Sequence, residues 1–166
     1  MNSRRFTDVI SQHHNLIFAD IFGMVQNNHD GIDLIGDDSG IELKSRLDQH
    51  HKTFTIHHYQ IRKFARQNPD KELFWGFIYY GLKGTVGEFP NDAKISDYIS
   101  TREVWFLPWD FAKGRKIHRT KTGNYVYAYL DEIRAQKGYR EHKRNGTTLY
   151  IPNNSILEER FEKSKK

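Results

Sequence analysis

Residues 31–44, GIDLIGDDSGIELK, decide the fold because their pattern predicts two short strands around a polar turn. A two-residue turn at Asp37-Asp38, or a four-residue loop over residues 36–39, makes paired positions sum to 75 and sets Asp33 opposite Glu42. Because strand side chains alternate, Lys44 shares a face with Glu42. The residues expected to point together into the core are Ile32, Leu34, Ile41 and Leu43.

The polar face of this hairpin carries groups with catalytic chemistry. Opposed β-carbons lie about 5 Å apart, so Asp33 and Glu42 repel each other unless a cation sits between them. Mg²⁺ suits such a pair, because it is bound through one or two carboxylates with substrate phosphate and water. The Lys44 ammonium can hold an attacking water and offset charge on the phosphate. The alternative is an ordinary half-exposed hairpin whose outer face happens to carry these residues.

Composition favours one compact domain inside a cell. The chain has 166 residues, of which 37% are hydrophobic and 14% aromatic, enough for a single core. It has no cysteine, which excludes disulfide scaffolds, thiolate metal sites and cysteine nucleophiles. The first residues lead into no signal-peptide core, and no apolar run is long enough for a membrane span. A cytoplasmic location without membrane partners is therefore expected.

Positive charge is concentrated in the second half of the sequence. Residues 1–83 carry 10 Lys and Arg against 10 Asp and Glu, whereas residues 84–166 carry 16 against 11, which accounts for the whole net charge of +5. Residues 113–144 alone have 10 basic and 3 acidic residues. This pattern favours a polyanionic partner, with a solvated basic loop as the alternative.

Helical and strand patterns surround the hairpin. Residues 3–24 have apolar positions at helical spacing with Ser3 as a candidate cap, which predicts one long helix or two short ones. A second helix is predicted over residues 57–67, ending before Asn68-Pro69. The remaining predictions are buried strands at 73–80 and 104–107, a strand passing into a helix over 125–136, and a terminal helix over 158–166.

These motifs resemble a known enzyme superfamily. Asp33 followed by Glu42-Leu43-Lys44 is similar to the PD-(D/E)xK nuclease signature, with Ile32 where a proline often stands. A narrower likeness covers residues 31–81 and includes Glu-Leu-Lys-Ser at 42–45, the segment TFTIHHY at 53–59 and the aromatic strand after it. This segment resembles PvuII-like type II restriction endonucleases.

The resemblance implies a fold and a set of site residues. The fold is α/β (α+β), with a restriction-endonuclease-like core in which a mixed central sheet is flanked by helices. The metal, Mg²⁺ with Mn²⁺ able to substitute, is expected on Asp33, Glu42 and the backbone carbonyl of Leu43, with Lys44 as the third catalytic residue. In this family a pair of adjacent histidines contacts bases, and the resemblance implies the same role for His57 and His58. The family also has an Asn-Asn pair that contacts bases, and its candidate match here is Asn153 and Asn154. Both residue types can pair with base edges.

The basic region supplies the expected contacts to the DNA backbone. Lysines and arginines there should contact phosphates and make affinity salt-dependent. The residues assigned to the DNA backbone are Thr55, Lys113, Arg115, Lys116, Arg119 and Lys121. Residues 1–166 form a single nuclease domain in this interpretation, with a core over about 1–112 and a DNA-contacting and recognition region over about 113–157.

Several other residues were considered for a role. The histidine pairs at 13–14, 50–51 and 57–58 raise the possibility of a histidine metal site, although adjacent histidines rarely share a metal. Asp20 could add a third carboxylate or remain an exposed helical acid, and Gln60 could contact phosphate or solvent. Trp105 and Trp109 are expected in the core or an interface rather than as base-stacking platforms.

The expected function is Mg²⁺-dependent, site-specific cleavage of double-stranded DNA by a homodimer, with a metal-activated water and no nucleotide cofactor. A two-fold symmetric enzyme suits a palindromic site. Two alternatives stay open. One is a structure-selective junction resolvase or repair nuclease on the same core. The other is a non-catalytic DNA-binding protein on a nuclease fold.

Overall fold

The computed structural model describes residues 1–27, 30–49 and 52–165. The helices in these ranges are α1 (Ser3–Phe22), α2 (His58–Gln67), α3 (Leu130–Arg134) and α4 (Ile156–Ser164). The strands in the first half are β1 (Val25–Gln26), β2 (Leu34–Ile35), β3 (Ser39–Leu47), β4 (Thr53–His57) and β5 (Glu72–Leu82). Those in the second half are β6 (Ile99–Pro108), β7 (His118–Thr120), β8 (Gly123–Tyr129), β9 (Tyr139–Arg144) and β10 (Thr147–Pro152).

A seven-stranded mixed sheet forms the centre of the fold. Its strand order is β1-β2-β3-β5-β6-β10-β9, with β3 parallel to β5, β6 parallel to β10 and the other neighbours antiparallel. The middle strand β5 is almost continuously apolar, as expected for a strand covered on both faces. The predicted mixed α/β fold with a central sheet flanked by helices is therefore confirmed at this level.

The two faces of the sheet bury separate apolar clusters. The first cluster contains residues of α1 and α4, including Phe18 and Phe161. The second contains residues of α2 and α3 together with a small antiparallel sheet of order β4-β8-β7, including Phe64 and Phe54. The catalytic-looking hairpin lies near one edge of the large sheet, between these layers.

The hairpin has the predicted register. Leu34 pairs with Ile41 and Ile35 with Gly40, so paired positions sum to 75. Ile32 is buried in the core as predicted, but the prediction that it shares a face with Leu34 is wrong, because Ile32 belongs to the second apolar cluster and Leu34 to the first. Strand β2 begins only at Leu34, and the residues before it do not follow its alternation.

The helix boundaries depart from the sequence expectations by one or two residues. One continuous α1 is present, and its cap is Asn2, whose side chain accepts a hydrogen bond from the Arg5 N–H, so the prediction of Ser3 as the cap is wrong. Helix α2 begins at His58, since His57 is still the last residue of β4. Helix α4 begins at Ile156, two residues before the predicted start, where the Ser155 side chain accepts from the Glu158 N–H.

Residues 139–152 form a hairpin that the sequence analysis did not assign. Strands β9 and β10 pair across Asn145 and Gly146, which have positive φ angles of 50° and 76°. Asn-Gly favours this turn because both residues tolerate left-handed backbone geometry. None of the described helices has both the length and the apolar character needed to cross a membrane.

Candidate active site

Asp33, Glu42 and Lys44 form one connected cluster at the edge of the large sheet. The Asp33 N–H donates to Glu42 Oε1 at 3.1 Å, and the Leu43 N–H donates to Asp33 Oδ2 at 2.8 Å. Lys44 Nζ lies 3.1 Å from Glu42 Oε2. The three side chains that the sequence analysis singled out are therefore neighbours.

The short length of β2 leaves this cluster beside an unpaired strand edge. Strand β2 pairs with β3 only at Ile41 and Gly40, so within the described residues no strand pairs with β3 from Glu42 onward on the side away from β5. The Leu43 N–H points to this edge, where it meets Asp33. In an extended strand the carbonyl of a residue points to the same side as its N–H, so the Leu43 carbonyl also faces the open edge.

Burial dominates the electrostatics of the cluster. Glu42 is only 5% exposed, and this burial raises the pKa of its carboxyl to about 8, with the nearby Asp33 charge acting in the same direction. The Lys44 ammonium opposes both effects by favouring the ionised form. A cation next to Glu42 would favour its ionised form in the same way.

The donor set fits a hard divalent cation. Among the described residues no group of three His, Cys, Asp or Glu side chains converges to hold a metal. Mg²⁺ does not need one, because it typically uses one or two carboxylates and completes its shell with water and substrate phosphate. Two carboxylates and a backbone carbonyl at an open strand edge match that requirement.

Gln60 of α2 contacts the cluster through Lys44. Its Oε1 accepts a hydrogen bond from Lys44 Nζ at 2.7 Å, so Gln60 is bound to the lysine and not left to solvent. The sequence predicts a contact of Gln60 with phosphate or with solvent, and neither alternative includes Lys44. Its place beside Lys44 depends on how α2 packs against β3, which no local pattern predicts.

A cleft of about 510 Å³ opens beside the carboxylates, between α1 and the open edge of β3. Asp33 and Glu42 line it together with His14 of α1. The His14 ring is 1% exposed, its Nδ1 lies 3.1 Å from Ser45 Oγ, and its Nε2 has no hydrogen-bond partner among the described residues. Burial, with the charge of Arg102 adding to it, lowers the pKa of His14 well below 6.5 and keeps the ring neutral.

His57 and His58 lie on different elements and face different neighbours. The His57 ring packs between Tyr59 at 5.6 Å and Tyr125 at 4.8 Å between ring centroids. His58 is the first residue of α2 and lines a separate cleft. The described residues bring no histidines together as metal ligands. His50 and His51, considered for such a site, lie outside the described residues.

The residues predicted to contact the DNA backbone fall into two groups. Lys116, Arg119 and Lys121 are exposed on and around the β7-β8 hairpin, and Thr55 is exposed on the neighbouring β4. Lys113 and Arg115 are instead engaged within the chain. Lys113 pairs with Asp110 at 2.9 Å, and Arg115 pairs with Glu132 and lies over the Phe111 ring.

Asn153 and Asn154 lie on different elements from the histidines. They follow β10 of the large sheet, whereas His57 ends β4 of the small sheet and His58 begins α2. Asn154 has a positive φ of 58° and its N–H donates to Glu158 Oε1, so the pair forms the turn into α4.

Asp20 and the tryptophans also lie outside the cluster. Asp20 is exposed on α1 and lines a small cavity of about 160 Å³ with Arg102, away from Asp33. Trp109 stacks on Trp75 at 3.8 Å and Trp105 on Tyr150 at 4.0 Å between centroids, and both tryptophans are buried. The expectation that they are core residues is confirmed.

Comparisons with protein-family models, with curated proteins and with solved structures find no match to this chain.

Proposed function

We propose that this chain is a Mg²⁺-dependent, site-specific endonuclease of double-stranded DNA with a restriction-endonuclease-like core. The observation that carries the proposal is the connected cluster of Asp33, Glu42 and Lys44, in which Asp33 and Glu42 line a cleft and Lys44 contacts Glu42. Two carboxylates and one ammonium in contact are the groups that phosphodiester hydrolysis by water requires.

Each residue of the cluster has a distinct role in this proposal. Asp33, Glu42 and the Leu43 carbonyl would hold Mg²⁺, with Mn²⁺ able to substitute. When bound, the ion would supply an activated water and neutralise charge on the phosphate. Lys44 is placed to orient the attacking water and stabilise the developing negative charge, and Gln60 holds the ammonium in place.

Cleavage of both strands calls for two such sites. A homodimer with two-fold symmetry would present one site to each strand and suit a palindromic sequence. His57 and His58 are the proposed base-reading residues, and Lys116, Arg119, Lys121 and Thr55 the proposed backbone contacts. A cytoplasmic enzyme that needs no nucleotide cofactor is proposed.

A structure-selective nuclease is the second candidate. It is favoured by the use of Asn153-Asn154 as the turn into α4, because a junction-cutting enzyme depends less on base-reading residues. Activity on branched DNA that exceeds activity on plain duplex would favour this candidate.

Incubation with long duplex DNA tests the proposal. The wild type is expected to cut with Mg²⁺ and not with chelator, and sequencing of the fragment ends should reveal one recurring site. Lys44→Ala should abolish cutting, whereas Lys94→Ala, which removes an exposed charge elsewhere, should not. If Lys44→Ala binds DNA and behaves like the wild type in every assay, the chain is a non-catalytic binding protein and the proposal is wrong.

A further inference from the structure

A second cleft of about 610 Å³ lies on the other side of α2 from the acidic cluster. His58, Arg62 and Arg66 of α2 form one wall, and residues 112–115 with Val126 lie across from them. Gln60, which contacts Lys44, is about 200° around the helix from both His58 and Arg62 at 100° per residue. The helix, about 10 Å across, therefore separates this cleft from the candidate active site.

The α2 wall of this cleft carries unneutralised positive charge. Arg62 and Arg66 are exposed, and neither forms a hydrogen bond or ion pair with any residue in the described ranges. Lys113 and Arg115 lie on the opposite wall, each paired with a carboxylate, Asp110 or Glu132, that does not line the cleft. Across the described part of the chain, no carboxylate lines it.

The spacing of the α2 residues matches a nucleic-acid backbone. His58, Arg62 and Arg66 follow one another at intervals of four residues, so they form a line about 12 Å long on one side of the helix. Successive phosphates of one strand rise about 3.4 Å each along a duplex. A line of this length therefore covers the rise of about three successive phosphates.

We infer that this cleft binds backbone phosphates of the DNA at positions other than the scissile one, with Arg62 and Arg66 as the principal contacts. The inference rests on the proposed DNA substrate and assigns it a second contact surface. It places on Arg62 and Arg66 of α2 a phosphate-binding role that the sequence analysis assigns mainly to the basic region 113–144.

The test is the salt dependence of duplex binding, measured by fluorescence anisotropy with chelator present. Each lost phosphate contact reduces the slope of log affinity against log salt by about 0.9. The pair Arg62→Ala/Arg66→Ala should therefore lose about 1.8 from the slope. Between 50 and 200 mM salt, the wild type should lose about 12-fold more affinity than this variant.

Two matched variants separate a local contact from net charge. Lys83→Ala/Lys94→Ala removes the same charge from exposed positions in the segment after β5 and should keep the wild-type slope. Arg62→Lys/Arg66→Lys keeps the charge on α2 and should also keep it. An unchanged slope in the alanine pair, or an equal change in the Lys83 and Lys94 pair, overturns the inference.

The two proposals fail in different ways. If the wild type binds duplex with the Arg62- and Arg66-dependent slope but does not cut it with Mg²⁺, the proposed endonuclease activity is wrong and the second contact surface stands. If the wild type cuts DNA but the alanine pair keeps the full slope, only the inference about α2 is wrong.

Discussion

Lys44 on β3 donates a 2.7 Å hydrogen bond from its Nζ to Oε1 of Gln60 on α2. The same ammonium lies 3.1 Å from Glu42 Oε2. A free lysine side chain samples many rotamers, which corresponds to about 2 kcal/mol of conformational entropy. Two acceptors on different elements restrict the Lys44 side chain to one of these rotamers. Gln60 is therefore a positioning residue for the ammonium.

Replacing Gln60 with alanine should slow DNA cleavage without weakening DNA binding. A hydrogen bond to a charged group contributes about 1.5 kcal/mol or more, which corresponds to about tenfold in rate. The measurement is single-turnover cleavage at saturating protein, beside a binding titration. Gln67→Ala, on an exposed position of the same helix, should cleave like the wild type. A Gln60→Ala rate equal to that of Gln67→Ala would contradict the positioning role.

The register of the hairpin could be predicted, whereas its contact with α2 could not. The turn over residues 36–39 and the alternation on either side of it are local, and they set Asp33 beside Glu42. Lys44 and Gln60 are 16 residues apart, and their contact depends on the packing of α2 against the sheet. No pattern within either segment carries that information.

Two differences between the prediction and the structure have local causes. Ile32 does not share a face with Leu34, because strand pairing ends at Leu34 and the alternation of side chains ends with it. Strand β9, YREHKR, was not predicted because its polar sequence lacks the apolar alternation of a half-buried strand, although Asn145-Gly146 is a hairpin signal.

The raised pKa of Glu42 predicts that the metal-free protein loses stability as pH rises. The folded-state pKa of about 8 lies above the unfolded value of 4.5, so the folded state binds more protons between these values. Above about pH 6.5, where the buried histidines no longer contribute, the free energy of unfolding should therefore fall by up to about 1.4 kcal/mol per pH unit as pH rises to 8. Urea titrations in chelator at several pH values measure this slope.

Variants of Glu42 and added metal isolate this effect. Glu42→Gln removes the titrating group and should flatten the slope, whereas Glu159→Gln, on an exposed carboxyl of α4, should not. Mg²⁺ should stabilise the wild type at pH 8 more than it stabilises Glu42→Gln, since ligand binding to the folded state adds to stability. Equal stabilisation of both by Mg²⁺ would argue against Glu42 as a metal ligand.

His14 and His13 predict a loss of stability in acid. Burial lowers the pKa of His14 well below 6.5 and that of His13 to about 4, and the Arg102 charge acts in the same direction. The unfolded chain binds protons at these rings below pH 6.5 before the folded chain does, so stability falls as pH decreases through that value. His14→Leu should make the free energy of unfolding less sensitive to pH between 6.5 and 4. A variant as acid-sensitive as the wild type would contradict this assignment.

Arg160 of α4 should stabilise the elements that carry the active site. Its Nη1 donates to the carbonyls of Phe22 and Gly23 at the end of α1, and its Nε and Nη2 contact Asp38 and Asp37 in the turn before β3. The Arg160 side chain is only 13% exposed, so water screens its hydrogen bonds little. Arg160→Ala removes all of these hydrogen bonds at once.

The expected loss in Arg160→Ala is about 1.5–3 kcal/mol of unfolding free energy, measured by urea denaturation. Arg140→Ala is the matched control, because Arg140 is 58% exposed and reaches Glu158 only at 3.7 Å, and a surface pair of this kind contributes about 0–1 kcal/mol. Since the turn sets the register of Asp33 against Glu42, Arg160→Ala should also weaken stabilisation by Mg²⁺ at a pH where the protein is still folded. Similar losses from both arginines would show that α4 does not hold the hairpin through Arg160.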